Sequence, residues 1–306
     1  MIDTVDSLCF DQAMSRPVFI EAALNGPWLQ KRQPLMPITT EDLITEGVAC
    51  ARAGASVIHI HVYDPETGQQ FEDFDAYRAV IEGIREHEDV IVYPTLPLSG
   101  FGHTEQTFTP NIRFETVEKL AIAGLLEWSV IDPGTTQITE LESIKDEQVQ
   151  FLYINSQAEV SYALALASQY VFVPSFAIYE PGFLRLGAFL HGQTKGCPPP
   201  LYRFMFSDKF SFGFPAEEIY LSAYIDLLKL NSPDAVWMIS GLQVNLQKII
   251  PACLDAGGHI RTGLEDTFFY SETGNLQLVR QTAQTILSEN YEIGTAEQLR
   301  QQLRNV

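Results

Sequence analysis

Ser56-Val57-Ile58-His59-Ile60-His61-Val62-Tyr63 is the stretch whose reading decides the fold. Val57, Ile58, Ile60 and Val62 are β-branched and apolar, the composition of a buried strand. Side chains alternate along a strand, so His59 and His61 point to one face. Two imidazoles on one face near a strand end form the beginning of a divalent-metal site. The competing reading is a pair of core histidines hydrogen-bonded to their neighbours. A metal needs a third protein ligand, which must come from elsewhere in the chain.

Upstream, residues 18–25 read as a first strand, broken by Asn25-Gly26-Pro27. Thr39 or Thr40 caps a helix with Glu41 and Asp42 in its first turn, and Gly54 ends it. Downstream, helical spacing over 74–88 and 114–123 alternates with strands at 90–94 and 127–132. Residues 132–136 read as a loop. Helices at 157–168, 183–192, 216–230 and 247–256 then alternate with strands at 170–178, 202–206, 235–240 and 259–264. Helices at 275–289 and 295–304 close the chain. Eight strands alternating with helices predict a single-domain (β/α)8 TIM barrel over residues 1–306. Residues 1–16 form an N-terminal extension in this reading, and 290–306 a helical tail. No Gly-x-Gly-x-x-Gly follows the first strand, which argues against a dinucleotide-binding sheet.

Composition narrows the functional classes. The 306 residues include 39 acidic and 19 basic side chains, a net charge of −20. That field repels nucleic acid and anionic membranes, and an anionic small molecule needs a local cation to bind. Four cysteines at 9, 50, 197 and 253 make no Cys-x-x-Cys pair and read as free thiols in a reducing compartment. The first 16 residues lack the charged and apolar regions of a signal peptide. No apolar run reaches the roughly 18 residues of a membrane span. A cytoplasmic location is expected.

Barrel chemistry sits at the C-terminal ends of the strands. The eighth strand reads His259-Ile260-Arg261-Thr262-Gly263-Leu264-Glu265-Asp266. Alternation puts His259, Arg261, Gly263 and Glu265 on one face. Glu265 at the C-terminal end can complete a two-histidine, one-carboxylate site with open positions, a set that suits zinc, with manganese, iron or cobalt as alternatives. Glu265 and Asp266 read equally well as solvated acids at the start of a loop. Arg261 in mid-strand needs a partner, either one of these acids or a substrate carboxylate held bidentately. Asn25, with Glu21 and Tyr93, is a candidate for lining the pocket.

The stretches ALNG (23–26), AGASVIHIHV (53–62) and GGHIRTGLED (257–266) resemble the β-keto acid cleavage enzyme family, whose best-known member is 3-keto-5-aminohexanoate cleavage enzyme. The similarity runs in order along nearly the whole chain. It implies a (β/α)8 barrel, a divalent metal (usually zinc) and a homotetramer. It also implies a reaction in which a β-keto acid and acetyl-CoA give acetoacetate and a new acyl-CoA. By position, His59, His61 and Glu265 match the metal ligands. Arg261 and Asp266 match the pair credited with substrate-carboxylate binding and proton abstraction. Thr95 and Thr135 match residues beside the substrate.

The chain also departs from the family pattern. Tyr63 stands where the family has Arg, Thr95-Leu96-Pro97-Leu98 where it has Ser-Thr-Gly-Gly, and Gln243-Val244-Asn245-Leu246 where it has Gly-Arg-His-Gln. Family glutamates fall near Trp28 and Ala177. These changes predict a substrate other than 3-keto-5-aminohexanoate, and a less polar one. Two other readings remain open: a metal-dependent aldolase or hydrolase that uses no CoA, and a non-catalytic relative that binds a metal or ligand. CoA dependence separates the first reading from the second. Basic residues at the barrel mouth, such as Lys31, Arg32 and Lys209, would favour the first.

Overall fold

Residues 16–101, 107–143 and 150–304 are described by a computed structural model. The apolar stretches become the parallel strands β1 (Ile20–Ala23), β2 (Ala55–Ile60), β3 (Ile91–Pro94), β4 (Trp128–Ile131), β5 (Val173–Ile178), β6 (Leu201–Phe206), β7 (Trp237–Gly241) and β8 (His259–Thr262). Their order is β3-β2-β1-β8-β7-β6-β5-β4, and the two end strands lie side by side. The result is a nearly closed barrel, as the alternation predicted.

A helix follows each strand. They are α1 (Thr40–Arg52), α2 (Phe74–Arg85), α3 (Glu115–Ile122), α4 (Gln157–Tyr170), α5 (Pro181–Gln193), α6 (Glu218–Asn231), α7 (Ile250–Asp255) and α8 (Asn275–Ser288). Local chemistry sets their ends. The Thr39 hydroxyl accepts from the Asp42 amide at 3.1 Å, Asp73 accepts from Ala76 at 2.8 Å, and Ser156 and Glu159 form a capping box. No helix among the described residues is long and apolar enough to cross a membrane.

The structure differs from the sequence expectation in four places. The helix expected to stop at 168 runs to Tyr170, and Val171 turns the chain at φ 57° into a strand that starts only at Val173. The helix expected over 247–256 is a 3-10 turn, Leu246–Ile249, followed by α7 with Pro251 in its first turn, where the missing N–H does no harm. The segment after β4 is more than loop. Thr136–Thr139 pairs antiparallel with Gln150–Tyr153, which pairs with Gly100–Phe101. These partners are distant in sequence, so local patterning did not show them. The tail holds a strand as well as a helix: Glu292–Ile293 pairs with Pro17–Val18 before the final helix, Ala296–Arg304. Arg300 of that helix bonds Glu127 and Asp89, just before β4 and β3, so the tail closes the N-terminal end. The expected extension and Cys9 lie outside the described residues, apart from Arg16.

Candidate active site

Register brings the interior side chains to one height. Ala23 pairs with His59, His59 with Tyr93, Glu21 with Arg261, and Ala177 with Arg203. His59 and His61 are buried at the C-terminal end of β2, with ring centroids 5.0 Å apart. The Asn25 amide fixes the second of them: its Oδ1 accepts from the His61 N–H at 3.0 Å, and its Nδ2 donates to the His61 carbonyl at 2.8 Å. Asn25 therefore braces the site from behind and does not line the cavity.

Glu265 arrives differently from the way strand alternation suggested. β8 ends at Thr262, and Gly263 takes φ +144°, where a Cβ would sit 2.1 Å from the Ala23 carbonyl oxygen. The chain turns there, with Asp266 and Thr267 amides bonding back to the Gly263 carbonyl. The Glu265 amide meets the Ala23 carbonyl at 3.3 Å, and the carboxylate swings over the strand end. Its Oε2 lies 3.5 Å from Nε2 of His59 and 3.5 Å from Nε2 of His61. One ligand atom from each residue lies within 4.8 Å of the other two.

These three residues fit a metal ion. Donors bound at 2.0–2.1 Å in a tetrahedral shell lie about 3.4 Å apart. Nε2 of His61 is buried without a hydrogen-bond partner among the described residues, and it faces Oε2 of Glu265, which the Arg261 guanidinium approaches at 2.9 Å, so two acceptor positions lie 3.5 Å apart. The His61 Nδ1 lies 2.9 Å from Gln70 Oε1, which assigns the proton to Nδ1 and leaves Nε2 with a free lone pair. Gln70 Nε2 in turn donates to Glu72 at 3.2 Å.

Charge is concentrated around this cluster. Arg261 reaches Asp266 through Nε (3.0 and 3.1 Å) and Nη2 (2.8 Å), Glu265 through Nη2 (2.9 Å) and Glu21 through Nη1 (3.2 Å). Tyr93 donates to the same Glu21 oxygen at 2.6 Å. Burial alone would raise the Glu265 carboxyl, but the Arg261 guanidinium holds it well below the usual carboxylate range. Burial pushes Asp266 up to about 6 against the lowering pull of Arg261. His59 is held well below its ordinary value by burial, opposed by Glu265 and reinforced by Arg261. Four buried carboxyls (Glu21, Asp132, Glu265 and Asp266) face two buried guanidiniums (Arg203 and Arg261). A divalent cation would balance the excess.

The cluster opens into a cavity of about 480 Å³ at the C-terminal face. His59, His61, Glu265, Arg261 and Thr95 line it. Trp28, Leu96 and Leu98 add apolar wall, and Lys31 and Arg32 bring two cations. Asp266 does not line the cavity and touches it through Arg261. Thr135 is turned away, its hydroxyl exchanging hydrogen bonds with the Asn155 backbone at 3.1 and 3.3 Å. Lys209 is paired with Glu142 and is not part of the lining. Tyr63 is a strut whose hydroxyl meets the Gly26 and Trp28 carbonyls. Gln243 holds the following loop through the Thr267 carbonyl and the Phe269 amide.

Sequence reasoning missed Gln70, Gly26 and Arg203. Gln70 sits on a short hairpin, Tyr63–Asp64 with Gln69–Gln70, whose approach to His61 is a tertiary matter. Gly26 takes φ +76°, and a Cβ there would lie 2.4 Å from Glu265 Cγ. Arg203 was detectable by the argument applied to Arg261, as a guanidinium inside the apolar strand Leu-Tyr-Arg-Phe-Met-Phe.

Residues 17–304 match the beta-keto acid cleavage enzyme family. The chain is 25% identical over 308 residues to the 3-dehydrocarnitine:acetyl-CoA trimethylamine transferase of Rhizobium meliloti, covering 95% of this chain and 98% of that protein. It is 26% identical over 272 residues to the 3-oxoadipate:acetyl-CoA acetyltransferase of Cupriavidus necator, covering 88% and 84%. Among solved structures, ObcA bound to oxaloacetate superposes with a TM-score of 0.67 at 16% identity, covering 88% of this chain and 67% of that one, a likeness of fold. With the family matched from the first barrel strand to the final helix, this chain belongs to the beta-keto acid cleavage enzyme family.

Proposed function

We propose that this chain is a divalent-metal enzyme that cleaves a β-keto acid with acetyl-CoA, releasing acetoacetate and a new acyl-CoA. The observation that carries the reading is the convergence of His59, His61 and Glu265, beside Arg261, on the cavity at the C-terminal face. The donor set suits zinc. A bound cation supplies Lewis acidity toward the ketone oxygen.

The chain's own residues do the rest. Arg261 orients the Glu265 ligand and holds Asp266 out of the cavity. An arriving substrate carboxylate exchanges with Asp266 on the guanidinium, since both make the same charge-assisted, fork-shaped contact. The released Asp266 then takes a proton from the carbon between the ketone and the carboxylate. Thr95 offers a hydroxyl at the cavity wall. Lys31 and Arg32 supply positive charge for the phosphates of CoA. The apolar walls of Trp28, Leu96 and Leu98 exclude water and favour an acid other than 3-keto-5-aminohexanoate. A cytoplasmic homotetramer completes the proposal.

Metal content of the purified protein beside His59→Ala and Glu265→Ala is the first test. Near-stoichiometric metal in the parent and loss in both variants is expected. Turnover of a β-keto acid should then require acetyl-CoA and disappear in Asp266→Asn, which keeps its metal. A parent that neither holds nor takes up metal would end this reading. Turnover without acetyl-CoA would point to an aldolase or hydrolase.

A further inference from the structure

Arg203 is the third residue of β6, 2% exposed, yet it lines the cavity. Its guanidinium is under-satisfied. Nη2 donates to the Ser175 carbonyl at 3.2 Å, Nη1 lies 3.9 Å from Glu21 Oε1, and Nε has no partner among the described residues. Arg261, at a similar height, has Nε, Nη1 and Nη2 all engaged. A buried donor left empty beside a cavity is costly, and an incoming acceptor relieves that cost. Guanidinium geometry matches a carboxylate.

The surroundings leave room for that acceptor. Ala177, the register partner of Arg203 on β5, carries a single methyl and also lines the cavity. Asp132, unlike Glu21, lines the cavity; it accepts from the Tyr153 hydroxyl and lies beyond ion-pair distance of Arg203. The guanidinium stands 5.9 Å over the Tyr93 ring, which also packs against His59 at 4.5 Å and Trp128 at 5.8 Å between centroids. Arg203 is thus set apart from the metal ligands by one aromatic side chain. Nη1 of Arg203 and Nη1 of Arg261 lie 3.9 and 3.2 Å from the same Glu21 oxygen, so a short carbon chain spans the two cations. Val130 and Met205 give that chain apolar walls.

We infer that Arg203 is a specificity-determining residue that binds a second carboxylate, at the far end of a short dicarboxylic β-keto acid, a more polar tail than the less polar substrate expected from Trp28, Leu96 and Leu98. The inference rests on the cleavage reading for the head of the substrate and adds the tail. The test compares two β-keto acids of equal length, one ending in a carboxylate and one in a methyl group, in the full-length metal-loaded enzyme with acetyl-CoA. The parent should prefer the dicarboxylic acid. Arg203→Gln should raise KM for it about ten- to hundredfold while lowering kcat/KM for the methyl-ended acid by a much smaller factor. Arg203→Lys should recover part of the loss. Ala177→Glu, which keeps Arg203 and sets an acid beside it, should also erase the preference. A merely structural Arg203 would lower both substrates together, and that result, or a parent preference for the methyl-ended acid, overturns the inference. If the parent cleaves neither acid, the cleavage reading fails by itself. A calorimetric titration with glutarate then decides: binding lost in Ala177→Glu upholds the carboxylate site, and no binding to the parent removes it.

Discussion

His61 shows how far a single candidate metal ligand depends on residues that never touch the cavity. Its backbone is gripped on both sides by Asn25, and its ring is oriented by Gln70, itself held by Glu72. Partners of this kind fix the tautomer and sharpen the basicity of the ligating nitrogen. Gln70→Ala is expected to weaken metal retention about 10–100-fold, the usual cost of losing such a partner. Competition with a chelator measures it. Gln70→Glu, which keeps an acceptor for the Nδ1 proton, should retain most of the affinity. Equal metal affinity in Gln70→Ala and the parent would show that packing alone orients the ring.

At the level of elements, the loop after β1 and the turn after β8 interlock. Trp28 Nε1 donates to the Glu265 carbonyl at 2.9 Å, and Gly26 lies against the Glu265 side chain. The missing Cβ at Gly26 is what lets Glu265, in the turn after the eighth strand, reach the histidines of the second. Gly26→Ala combines a left-handed backbone with a clash against Cγ. It is expected to lower stability by about 1–3 kcal/mol and to reduce bound metal by displacing Glu265. Thermal denaturation and metal analysis on one preparation check both. Full metal content would mean that the turn yields without moving the carboxylate. The same interlock explains Tyr63, which ties the first loop to the hairpin carrying Gln70.

Across the whole molecule, the two ends of the barrel have different tasks. The C-terminal end gathers charge and open donors. The N-terminal end is closed by the tail, by Arg16 on the Leu254 and Gly258 carbonyls, and by His259, whose Nδ1 accepts from the Phe19 amide at 3.3 Å. Burial, with Arg16 nearby, lowers His259 to about 3, so it stays neutral in the native state. The unfolded chain takes up that proton near the ordinary value of about 6.5. His259 therefore contributes its full stability above that value, and the contribution is lost as pH falls toward the folded value. Lowering the pH from 7 to 5 is expected to cost about 2 kcal/mol through this residue. Urea denaturation of the parent and His259→Asn across this window measures it. Parallel pH dependences would refute it.

Much of this was legible in the residues themselves. The barrel followed from eight apolar stretches alternating with capped helices, because strand and helix periodicities are local properties of the chain. The His-x-His pair declared a shared face because strand alternation is fixed by backbone geometry. Only the folded chain decided how Glu265 reaches them. Glu265 depends on a turn at Gly263 and on an empty Cβ at Gly26, contacts across the β1–β8 seam that no local pattern encodes. The antiparallel sheet after β4 and the approach of Gln70 to His61 were hidden for the same reason. The two arginines make the division clearest. Sequence marks both as buried charges in apolar strands. That Arg261 is saturated by three acids while Arg203, in the cavity wall, keeps its Nε unpartnered is settled by packing distances alone.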